Sequence, residues 1–125
     1  MPSPAAASFW AEHTPSHFAM NVKAFRIFTG HETSPILLHK DIRAALPPSS
    51  NANLYREDLP PELRDELWRR FIVALQPLRA AGTLRLVHFQ FPPRLVCNAA
   101  AHAPVAHCVA RLAGHTPSIE FRHRN

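Results

Sequence analysis

His88 and Gln90 stand two residues apart in the run Leu86 to Pro93, read LVHFQFPP. An imidazole can give or take a proton near neutral pH, and an amide beside it can orient a carbonyl or a water. Their neighbours Val87, Phe89 and Phe91 are apolar. Residues two apart in a strand point to the same side, so His88 and Gln90 share one face and the phenylalanines the other. Pro92 and Pro93 stop the strand just beyond them.

The same alternation recurs twice. Asn21 and Lys23 interleave with Met20 and Val22, and Glu120 and Arg122 interleave with Ile119 and Phe121. On one sheet face these residues supply cations for an anionic group, an imidazole and a carboxylate base. Lys23, His88 and Glu120 are therefore the candidate catalytic residues, and Asn21, Gln90 and Arg122 the candidate binding residues for a small anionic ligand. A second reading stays open at this point: a solvated sheet face, with Glu120 paired to Lys23 or Arg122 for a small gain.

Other chemistries find less support. No HxH or HxxxH pair sets two imidazoles on one face, so no metal site is expected. There is no GxSxG elbow for a serine nucleophile. The chain has three glycines, Gly30, Gly82 and Gly114, and no glycine-rich phosphate loop, so no cofactor is expected. Cys97 and Cys108 lack CxxC spacing and read as unpaired thiols.

The elements that must position these residues follow from periodicity. Ala5 to His13 has helical composition, and Phe18 to Ala24 reads as a strand with Phe18, Met20 and Val22 on one face. Phe25 to Ser34 shows no period and reads as a loop with a helical turn, Asp41 to Leu46 as a short helix, and Pro47 to Asn53 as a loop. In the longest helix, Leu63, Leu67, Phe71, Leu75 and Leu78 form one stripe, Asp58 is the expected cap, and Pro77 should bend or end the regular part. Gly82 closes it and the central strand follows. Ala99 to Ala113 reads as a helix with Val105, Cys108, Val109 and Leu112 inward, and Ser118 to His123 as the last strand. His102 and His107 read as exposed.

Strands alternating with helices imply parallel strands in an α/β layer. Parallel strands covered on both faces are near-continuously hydrophobic, whereas here one face is polar. That pattern fits a (β/α)8 barrel, whose strands turn apolar residues to the helices and build a site at their C-terminal ends.

At 125 residues, with 46% hydrophobic and 18% charged residues, the chain has the makings of one globular domain, residues 1–125. Lacking a spanning-length apolar run, it is expected to have no membrane partner and to be cytoplasmic. The formal charge is +5; residues 61–125 carry nine arginines against four acids, while residues 1–60 balance at five and five. The arginines are scattered, so nucleic acid is not the expected partner.

WAEHTP (Trp10 to Pro15), NVKAFRIFTGH (Asn21 to His31), LPPELRDELWRRF (Leu59 to Phe71), LVHFQFPP (Leu86 to Pro93) and IEFRHR (Ile119 to Arg124) together resemble the YecE-like family, domain of unknown function 72. The resemblance implies a TIM-type barrel and adds His31 and His123 to the candidate binding residues beside Lys23, His88, Gln90, Glu120 and Arg122. It names no reaction. Relative to that family the chain lacks an opening strand and helix and the strands beyond Asn125. The expectation is thus a partial barrel of about three parallel strands with flanking helices, from a truncated reading frame. Eight strands remove the edges of a barrel; with three, self-association through unclosed edges is a second expectation.

Overall fold

The computed structural model describes residues 3–15, 17–46, 53–96 and 98–122. Its order is α1 (Pro4–His13), β1 (Met20–Lys23), α2 (Lys40–Ala44), α3 (Pro61–Ala80), β2 (Leu84–Phe91), α4 (His102–Arg111) and β3 (Pro117–Phe121), with short 3-10 turns at Arg26–Thr29, Pro35–Leu37, Arg56–Asp58 and Ala99–Ala101. The strands form one sheet in the order β1-β2-β3, and both pairings are parallel. The expected α/β architecture, three parallel strands flanked by helices, is the one observed.

The helix layer lies on the side of β2 that carries Val87, Phe89 and Phe91, all buried, and α3 delivers Leu67, Trp68, Phe71, Leu75 and Leu78 to it. Rings supply much of this core. Trp68 stacks on Phe28 at 3.8 Å with planes 10° apart, and Phe71 meets Phe28 edge-on at 5.6 Å. Cys108 of α4 and Leu112, which caps its C-terminus, complete it. Burial pushes the Cys108 thiol up to about 11, so the sulfur stays protonated and inert.

Several sequence expectations change at element ends. Asp58 does not cap α3: its carboxylate accepts from the Tyr55 N–H at 2.8 Å and closes the preceding 3-10 turn. Successive prolines hold Leu59 and Pro60 extended (ψ 133° and 149°), and the helix begins at Pro61, whose missing N–H costs nothing there. Pro77 does not end α3, which continues to Ala80 because Leu75 and Leu78 on either side are both fully buried. Gly82, at φ +73°, then reverses the chain, and Thr83 donates both its N–H and its hydroxyl to the Leu78 carbonyl before β2 starts.

β1 is shorter than expected. Phe18 lies outside it and is exposed, while Val22 is buried. Val109, expected inward, is exposed, because α4 turns Cys108 and Leu112 to the core. α4 itself is preceded by the 3-10 turn at Ala99–Ala101, so Pro104 falls in its first turn as expected. Cys97, residues 47–52 and His123 lie outside the described residues. No helix is long and apolar enough to cross a membrane among the described residues.

α2 is tied to α3 by Arg70, which takes both Asp41 oxygens (2.9 and 2.5 Å) and Glu66 (2.8 Å). The guanidinium holds the Asp41 carboxyl far below the usual range; Asp41 is solvent-facing and Glu66 partly exposed, so the network adds little stability.

Phe89 is fully buried at the centre of the only strand with two neighbours among the described residues. Phe89→Ala is expected to lower unfolding stability by about 3–5 kcal/mol through the cavity it leaves. A denaturant titration measures this as a lower midpoint at unchanged slope.

Candidate functional site

The registers of the two parallel pairings decide which polar residues meet. Lys23 pairs with His88 across β1 and β2, His88 with Ser118 and Gln90 with Glu120 across β2 and β3. His88, Gln90, Ser118 and Glu120 are each half-buried, and Lys23 is exposed. They occupy the side of the sheet opposite Val87, Phe89 and Phe91.

Hydrogen bonds and an ion pair link the polar residues along this face. His88 Nε2 lies 2.8 Å from Glu120 Oε2, His88 Nδ1 lies 3.1 Å from Ser118 Oγ, and Arg122 Nε forms an ion pair with Glu120 Oε1 at 2.8 Å. Hydrogen bonding from His88 first, then the charges of Arg122, His88 and Lys23, hold the Glu120 carboxyl below its ordinary value despite partial burial. An ionised carboxylate only accepts, so Nε2 carries a proton. In the neutral imidazole this leaves Nδ1 as the lone-pair nitrogen, facing the Ser118 hydroxyl. Glu120 thereby fixes the tautomer, and a proton taken up at Nδ1 would leave an imidazolium facing an ionised carboxylate.

The loop after β1 adds the fourth side of the site. The 3-10 turn Arg26–Thr29 ends at Gly30, whose φ of +84° lets the Gly30 and His31 N–H groups return to the Ile27 and Arg26 carbonyls. The reversed chain sends His31 back to the sheet, where Nε2 lies 2.8 Å from the Gln90 carbonyl. A carbonyl can only accept, so this nitrogen is protonated too. Lys23, Arg26, His31 and Gln90 line a depression of about 500 Å³ here.

Of the residues singled out in the sequence, the structure brings together Lys23, His88, Glu120 and Arg122 through charge and hydrogen bonds, and adds Gln90 and His31 around the depression. Asn21 is not brought in. It pairs with Leu86, toward the N-terminal end of the sheet, and lines another groove with Trp10, Met20 and Lys23. Ser118 and Arg26 were missed. Ser118 precedes Glu120 by two, so strand alternation alone marks it as a member of the same face; Arg26 follows the strand where no period exists to place it. No group of three His, Cys, Asp or Glu residues that could hold a metal ion occurs among the described residues.

The family model described as "Protein of unknown function DUF72" matches residues 1–125. UPF0759 protein YunF of Bacillus subtilis (strain 168) is 27% identical over 116 residues, which are 93% of this chain and 33% of that protein. The chain thus spans about a third of the length of this curated relative. No solved structure matches.

A carboxyl whose folded value lies below its ordinary one contributes stability above that ordinary value and loses it as pH falls through the folded value. For Glu120 the ordinary value is 4.5, so this contribution is complete above it and fades in acid. Replacing Glu120 by Gln should flatten the acid limb of the stability curve, leaving the variant less sensitive than the parent to pH below about 4.5. Thermal melts across the acid range test this; parallel curves would remove the ionised Glu120 from the account.

Proposed function

The chain belongs to the DUF72 family of proteins of unknown function, and from that premise we propose that its polar sheet face binds a small anionic ligand and exchanges a proton with it through His88. The observation that carries the reading is the hydrogen-bonded set Ser118–His88–Glu120, extended by the Glu120–Arg122 ion pair, with Lys23 as the register partner of His88. Lys23 and Arg122 supply the cations for the ligand. Gln90 orients its carbonyl or a water. His88 takes the proton at Nδ1, where a ligand hydroxyl can exchange with Ser118 Oγ, and Glu120 holds the imidazole in place. A solvated face also places polar residues at a spacing of two. What favours a site is the half-burial of His88 with partners on both ring nitrogens, and its register partner Lys23 lining a cavity of about 500 Å³ with Gln90 and His31.

In the same reading the sheet is a sector of a TIM-type barrel. Parallel order β1-β2-β3, apolar residues toward the helices and polar residues on the other face match how such a barrel builds its site.

Titration of the chain with succinate and with inorganic phosphate, followed by calorimetry and, where the ring is present, by the His88 signals, tests the ligand reading. Lys23→Ala and Arg122→Ala should each weaken binding about tenfold, and His88→Ala should bind within a few-fold of the parent while losing proton exchange. Unchanged affinity in both cation variants would sink the reading.

A second reading concerns assembly. β1 and β3 each have a strand partner on one side among the described residues, and an unpaired edge is a template for another chain. Self-association through these edges predicts particles of at least twice 14.0 kDa by light scattering. A folded species of 14.0 kDa at all concentrations would eliminate it.

A further inference from the structure

A second cavity, of about 470 Å³, opens beyond the C-terminal end of β2 on its helix-facing side. Phe28, Phe91 and Leu95 give it an apolar lining, and cationic side chains reach it from separate parts of the chain: Arg56 from a 3-10 turn, Arg64 from α3 and Arg94 from the loop after β2. His107 of α4 completes the wall. None of the residues in the Ser118–His88–Glu120–Arg122 chain lines it; Thr29, which borders both cavities, marks the Arg26–Thr29 turn as the partition between them.

The charge here is unbalanced. The lining holds three guanidiniums and one carboxylate, Glu57, which is 69% exposed and only 3.9 Å from Arg56 at its nearest. Arg64 has no ion pair or side-chain hydrogen bond among the described residues. Arg94 is oriented in advance, donating to the Gly30 carbonyl and lying over the Tyr55 ring at 4.8 Å. Burial, then the positive charges of Arg111, Arg56 and Arg64, hold His107 below its ordinary value against the opposing Asp65.

We propose that this cavity binds a small organic phosphomonoester, its phosphate among Arg56, Arg64 and Arg94 and its apolar body against Phe28 and Phe91. A monoester carries about −1.5 to −2 at neutral pH, which matches the excess of two positive charges. Three guanidiniums lining one cavity suit an oxyanion with several charged oxygens, whereas a single fork brackets a carboxylate. The volume lies within the range of pockets that enclose whole small molecules, well beyond one phosphate group, and the aromatic lining provides for the remainder.

The test uses phenyl phosphate as probe, inorganic phosphate as comparison, and NMR of the His107 ring in the whole chain. Phenyl phosphate should shift the His107 signals saturably and raise its titration midpoint by about one unit, since a dianion would offset Arg56, Arg64 and Arg111. Arg64→Gln and Arg56→Gln should each weaken binding about tenfold or more, two independent variants guarding against a local folding defect in either. Lys23→Ala, expected to weaken succinate binding on the sheet face, should still bind phenyl phosphate here. The proposal is overturned by an absence of saturable shifts at millimolar probe, by unchanged affinity in both arginine variants, or by loss of binding in Lys23→Ala alone. Inorganic phosphate binding as tightly as phenyl phosphate would overturn the assignment of an organic ligand.

Discussion

The register of Leu84–Phe91 between its two parallel neighbours is the constraint on which everything else rests. Side chains in a strand alternate with a period of two, so a slip by one residue would turn Val87, Phe89 and Phe91 away from the helices and bury His88 and Gln90 in their place. The fully buried Phe89 and Phe91, packed near Trp68 and Phe121, make that slip costly. The helix-facing side therefore enforces the pairing, and the polar side inherits its geometry. His88 reaches Ser118 and Glu120 together because residues directly opposite and two further along the adjacent strand both come within range of one imidazole.

That division also explains where the two cavities lie. Both are at the C-terminal end of β2, where the strand stops at Pro92 and the loops leave the sheet, but one opens on the polar side with Lys23 and Gln90 and the other on the helix side with Phe91. The Arg26–Thr29 turn stands between them, held by Gly30 at positive φ and by Arg94 on the Gly30 carbonyl. A side chain at Gly30 would be strained by that backbone conformation and would approach the Arg94 guanidinium to 3.0 Å. Phe28, stacked on Trp68 from the same turn, links this partition to the core.

The sequence made the sheet legible because alternation is a strong signal: β2, the polar pairs on each strand, and their assembly on one face all follow from a period of two. α3 was legible from its leucine stripe. What escaped lay where periodicity is silent. The start of α3 depended on two prolines holding the backbone extended, which overrode Asp58 as a cap, and its continuation past Pro77 depended on how deeply Leu75 and Leu78 are buried. Asn21 shares the face of Lys23 but pairs with Leu86, toward the N-terminal end from His88, and no hydrogen bond or ion pair ties it to the cluster among the described residues. Arg56, Arg64 and Arg94 are scattered through the sequence and converge only in three dimensions, so no run of positive charge could announce them.

The central claim is that Glu120 holds His88 in a single tautomer, with the proton on Nε2 and the lone pair on Nδ1. Nitrogen-15 spectroscopy of the imidazole above its titration midpoint reads this directly. The account predicts one dominant form protonated at Nε2 in the parent chain, giving way to a tautomer mixture in Glu120→Gln. An Nδ1-protonated ring, or the same averaged pattern in both proteins, would contradict it.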